Sequence, residues 1–141
     1  MMRITPWIYA LALAGCSSTT GPAVTADLRP PLNQPFTLEV GQAAVFFEPA
    51  LLIRFATAAD SRCPTNVYCV WEGDGVASLV LHVGPGSGDG PDLSVDLHTN
   101  LQPHSTPWGP YYEIRLLSLD PYPVYDQPQG PYRATLIVES H

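Results

Sequence analysis

The chain has 141 residues, 45% of them hydrophobic, with six arginines, no lysine and thirteen carboxylates, a formal charge of -7. That length suits one domain with one core of ordinary size. An acidic chain without lysine is a poor partner for phosphate backbones, whose affinity comes from cations that displace condensed counterions, and nucleic-acid binding is excluded on that ground.

Residues 1–15 read as an export leader. Arg3 is its one charge, and Trp7 to Ala14 is an apolar run too short to span the roughly 30 Å of a bilayer's hydrocarbon. Leu13-Ala14-Gly15-Cys16 resembles the lipobox of bacterial lipoproteins. The resemblance implies that Cys16 becomes the lipidated first residue, and that Ser17 after it directs the chain to an outer membrane where the organism has one. Acyl chains anchor a protein stably without a span. Once the leader is removed, five arginines face thirteen carboxylates, formally -8. Such a surface favours a cationic ligand or a basic partner, or is simply well solvated. Residues 16–35, rich in Ser, Thr, Gly and Pro, read as a flexible tether, which leaves 36–141 as the folded domain.

Phe36 to Val40 alternates apolar and polar residues with period two, as a half-buried strand does, and Gly41-Gln42 is a turn signal. Ala43 to Phe47 is a second run, stopped by Glu48-Pro49. Leu51, Ile53 and Phe55 form one face of a third. Tyr68, Val70 and Trp71 read as the lead into a further strand, and Glu72 to Gly75 as a tight turn. Val76 to Val83 alternates most clearly, with Ala77, Leu79 and Leu81 on one face. Leu93 to Leu97 alternates too, Thr99 to Pro110 reads as a long connection, and Tyr111 to Leu119 and Tyr132 to Glu139 complete the set. Short strands between Gly/Pro turns, with no helical spacing between them, predict an all-β, mostly antiparallel sandwich of immunoglobulin-like type with about seven or eight strands.

Chemistry is densest between Asp60 and Gly73. With Cys16 lipidated, Cys63 and Cys69 are an even pair in an exported chain, so a disulfide is expected between them. Asp60-Ser61-Arg62-Cys63-Pro64 followed by Val67, Cys69, Trp71 and Gly73, with Pro121-Tyr122-Pro123 further on, resembles a group of small, uncharacterised bacterial lipoproteins. That resemblance implies an exported β-domain with a disulfide loop. It implies no activity and transfers no functional residue.

Two readings of this stretch stand side by side. In the structural one the disulfide staples two strands, Trp71 packs over the bridge, and Arg62 forks onto Asp60 or Glu72. In the functional one Asp60, Arg62, Trp71 and Glu72 form a ligand or partner site on a rigid loop. A second candidate surface is aromatic: Trp108, Tyr111, Tyr122, Tyr125 and Tyr132 lie in or beside two proline-rich loops that could meet at one end of a sandwich and hold a glycan or a protein. The other use for these rings is to roof the core.

Catalysis finds little footing. Ser61 lacks the Gly-x-Ser-x-Gly elbow and has no histidine nearby in sequence, and the cysteine spacing is not Cys-x-x-Cys. His82 and His98 lie on predicted strands and could approach across a sheet, but two histidines make a weak zinc or copper site, and no metal or cofactor is expected. Asp89 to Asp92 lacks the alternating ligands of a calcium loop. The sequence therefore predicts a non-enzymatic binding or interaction module on the bacterial cell envelope, held to the membrane by its N-terminal lipid and facing a protein or glycan partner. The alternatives are a purely structural envelope lipoprotein or, third, a hydrolase.

Overall fold

The computed structural model describes residues 28–83 and 91–141. The expected export leader, Cys16, the expected tether up to residue 27 and Asp89 lie outside the described residues. Among the described residues eight strands follow in chain order: β1 (Phe36–Glu39), β2 (Ala43–Phe46), β3 (Leu51–Asp60), β4 (Gly75–Val83), β5 (Leu93–His98), β6 (Ser105–Trp108), β7 (Tyr112–Asp120) and β8 (Arg133–Ser140). They form two four-stranded antiparallel sheets, ordered β1-β8-β7-β6 and β2-β3-β4-β5. This is the expected all-β sandwich. Its strand order differs from that of a constant-type immunoglobulin domain, so the likeness is one of architecture.

Period-two burial builds the core. Leu51, Ile53 and Phe55 of β3, Ala77, Leu79 and Leu81 of β4, and Leu97 of β5 face Leu38 of β1, Ile114 and Leu116 of β7, and Ala134, Leu136 and Val138 of β8. Two one-residue bulges alter that alternation. In β3 the register shifts between Phe55 and Thr57, so Ala58 and then Asp60 turn toward the core in place of their odd-numbered neighbours. In β7 a shift between Leu116 and Ser118 buries Leu119 and exposes Leu117. A bulge changes which side of the strand faces the core, and here it aims a carboxylate inward.

Three predicted elements are corrected. Thr99 to Pro110 is not all connection: Ser105–Trp108 pairs with β7 as an edge strand, where Pro107 lacks an N–H at no cost to a neighbour. Tyr68, Val70 and Trp71 lead into no strand and lie in the loop before β4. The tether does not extend to residue 35, because Leu28 pairs in parallel with Ala44, Leu32 packs on the core, and the Asn33 N–H donates to the Val138 carbonyl at 2.8 Å.

Candidate functional site

Antiparallel strands place the loops at two ends. Leu119 and Pro121 bring the β7–β8 loop to the β3–β4 loop through Arg62, and Thr99 and Asn100 bring the β5–β6 loop beside them through Gly75 and Gly73. The β3–β4 connection begins as an extension of its hairpin. The Ser61 N–H donates to the Asp74 carbonyl at 2.8 Å and the Cys63 N–H to the Glu72 carbonyl at 2.9 Å. Beyond these rungs the Cys63–Cys69 disulfide closes the tip, with Cα atoms 5.8 Å apart. The tip is also tied sideways, by the Thr65 N–H to the Pro123 carbonyl and the Tyr125 N–H to Asn66 Oδ1. The chain-entropy model gives a seven-residue loop about 2 kcal/mol of stabilisation. We expect Cys63→Ser with Cys69→Ser to lower the urea unfolding free energy by about that amount; an unchanged value would mean that the flanking hydrogen bonds alone hold the loop.

The two charges read as the rim of a site are interior. The Arg62 and Asp60 side chains are 4% and 1% exposed. Arg62 forks onto the carboxylate, Nε to Oδ1 at 2.8 Å and Nη2 to Oδ2 at 2.6 Å, and two further N–H donors reach the carbonyls of Leu119 at 2.8 Å and Pro121 at 3.1 Å. The guanidinium carbon lies 4.5 Å from the centre of the Tyr122 ring. Burial raises the Asp60 pKa, but the Arg62 hydrogen bonds and charge outweigh it and hold the carboxyl below its ordinary value. The bulge in β3 turns Asp60 inward, and Arg62 is the cation that makes this burial tolerable. Glu72 takes no part in the fork.

Trp71 does the opposite of what its size suggests. It is 81% exposed, Val70 is 89% exposed, and Tyr68 and Leu101 are exposed with them. Trp71 thus does not roof the disulfide. Residues 70–74 with Ser61, Asn100 and Leu101 line an open groove of about 490 Å³. Asp74, at its base, accepts from His98 Nδ1 at 2.5 Å and from the backbone N–H groups of Asn100 at 3.0 Å and Leu101 at 3.3 Å. Burial raises the Asp74 pKa, and these hydrogen bonds more than reverse it, so the carboxyl lies below its ordinary value. Asn100 Nδ2 donates to the Gly73 carbonyl at 2.9 Å, which joins the β5–β6 loop to the groove wall.

The structure therefore brings Trp71 and Glu72 together and removes Asp60 and Arg62 from them. The two aromatic loops do not converge, because they lie at opposite ends of the nine-residue strand β7. Tyr122, Tyr125 and Tyr132 belong to the disulfide end. Trp108 packs against the core at the other, where its Nε1–H donates to the Pro49 carbonyl at 3.4 Å beside exposed Tyr111. His82 and His98 also lie apart: His98 pairs with Val76, six residues and about 20 Å along β4 from His82. Ser61 Oγ donates to the Asp74 carbonyl and accepts from the Asp74 N–H, and among the described residues no hydrogen bond joins it to His98. Sequence reasoning passed over Asp74, Asn100 and Leu101. Leu101, an apolar residue in the polar run from Thr99 to His104, was the one local sign of a surface there.

No protein-family model matches the chain, and neither a curated protein nor a solved structure is found similar to it.

Proposed function

We propose that this protein is a lipid-anchored binding or interaction module of the bacterial cell envelope, held to the outer membrane through Cys16 and without catalytic activity. The observation that carries the reading is the groove at Trp71. A large aromatic ring and two aliphatic side chains are held out in solvent on a loop fixed by a disulfide, a hairpin ladder and two side ties. Holding apolar surface in water opposes folding, and a rigid aromatic anchor loses little entropy on binding. The lipobox resemblance supplies the anchor. Burial of Asp60 and Arg62 favours the second reading, a purely structural envelope lipoprotein, since it removes the motif's charge pair from any site. A hydrolase is the least supported, because the Ser61 hydroxyl is engaged by the main chain of Asp74.

In cells, a photo-crosslinking residue at position 70 is expected to form a discrete adduct, lost on Trp71→Ala, while one at exposed Leu117 on β7 forms none. A clickable palmitate analogue should label the chain and fail to label Cys16→Ala. Labelling without any position-70 adduct would leave the structural lipoprotein, and labelling of Cys16→Ala would remove the anchor.

A further inference from the structure

The groove's chemistry narrows what it can hold. Its apolar walls are Trp71, Val70 and Leu101, and its charges are both negative: the Asp74 carboxylate at its base and Glu72, whose carboxylate has no partner among the described residues. No arginine lines it. Arg62, close in sequence, is buried and directed to Asp60, Leu119 and Pro121. His98 faces Asp74 from β5 and is, among the described residues, the one other titratable group in contact with the groove's carboxylates. Around the site is a mature chain with five arginines against thirteen carboxylates, and a field of that sign raises the local concentration of cations.

Resting on the binding-module reading above, we propose that the groove binds an organic cation on an apolar stem, an alkylammonium or guanidinium group of the kind a lysine or arginine side chain of a basic peptide presents. The indole face attracts such a cation through its quadrupole, Glu72 supplies the countercharge, and Val70 and Leu101 cover the methylene stem. A neutral sugar fits less well. The groove's amide donor, Asn100 Nδ2, already serves the Gly73 carbonyl, which leaves few donors for sugar hydroxyl oxygens. A bilayer fits less well too, since it would have to accept Glu72 among the apolar side chains with no arginine nearby for anionic headgroups.

The test uses the full chain in a polyoxyethylene detergent, which brings neither charge nor sugar, and follows the indole N–H resonance of Trp71, assigned by Trp71→Phe. Four probes are titrated: an acetylated Gly-Lys-Gly-Lys-Gly amide, its norleucine counterpart, spermidine and an N-acetylglucosamine tetramer. The lysine peptide is expected to shift the resonance saturably and to weaken as salt is raised, about fivefold tighter than the norleucine peptide and weakened by about two- to fivefold in Glu72→Gln. A peptide tighter than spermidine assigns the cation to a protein partner, and the reverse order to a free amine. Equal shifts with lysine and norleucine, no effect of salt and Glu72→Gln, or a response to the saccharide alone overturn the proposal. If the position-70 adduct forms in cells while both amine probes leave the resonance in place, the binding module stands and the cation inference falls.

Discussion

Arg62→Ala is expected to lower the unfolding free energy by about 3–5 kcal/mol, the largest single-residue effect outside the apolar core. Truncation leaves the Asp60 carboxylate inside the protein with no cation, and leaves the carbonyls of Leu119 and Pro121 without their donors. Domains of this size are stable by about 5–15 kcal/mol, so a large part of the total is at stake. Arg62→Lys should restore little, because one ammonium cannot fork onto Asp60 and also reach two carbonyls of the β7–β8 loop. Arg62→Leu combined with Asp60→Asn should cost much less than Arg62→Ala, because no buried charge is then left unpaired. The pH dependence carries the sign. In the native protein Asp60 titrates below its ordinary value, so its contribution is fully present above the unfolded pKa of about 3.9 and fades as pH falls through the lower folded value. In Arg62→Ala the guanidinium's hydrogen bonds and charge are gone, and burial is opposed only by the residue-62 N–H and Tyr132, so the Asp60 pKa rises above its native value. The variant's deficit should then widen as pH rises from about 4 toward 7 and shrink as pH falls through the native Asp60 value. Urea unfolding of both proteins from pH 3 to 8 reads this directly, and a deficit independent of pH would show that Asp60 is not the group left unpaired.

How much of this was legible depends on the range of the interaction concerned. Val76 to Val83 announces itself because adjacent side chains face opposite ways, a local property that sequence carries directly. The disulfide follows from counting cysteines in a chain whose start reads as an export leader. The bulges at Ala56 and Leu117 leave no such trace, yet they decide that Asp60 and Leu119 face inward and so decide the fate of Arg62. β6 was hidden by Pro103, Pro107 and Pro110, which count against a central strand and not against an edge. One of the two readings places Trp71 over the disulfide because an aromatic ring usually gains by burial, the other in a site, and its exposure depends on loop packing that joins residues 59 positions apart, such as Asn66 with Tyr125. Asp74 with His98 and Asn100 is likewise a tertiary contact across more than twenty residues, beyond any local pattern.

Gly73→Ala should be the other severe substitution, and Gly41→Ala its control. Gly73 has φ +71°, and a Cβ there would lie 1.9 Å from the Ser61 carbonyl oxygen and 2.9 Å from the Arg62 Cα. Gly41 has φ +91° with nothing within 4 Å of the same position. Both alanines meet the left-handed conformational cost of about 1–2 kcal/mol, but only the one at position 73 adds a backbone overlap, for which overpacking costs of about 1–3 kcal/mol are the guide. The overlap is hard to relieve. Ser61 and Asp74 are joined by three hydrogen bonds, the Gly73 carbonyl is held by Asn100, and Arg62 on the far side is fixed by its fork to Asp60. Moving residues 61–62 away from residue 73 would pull Arg62 off Asp60 or break the ladder that positions Trp71. The site and the stability of this end of the sandwich therefore share one close backbone approach. Gly73→Ala should lose both unfolding free energy and the position-70 crosslink, while Gly41→Ala keeps the crosslink at a modest stability cost. Equal losses in the two variants would mean that the ladder yields freely and that the groove's geometry is set elsewhere.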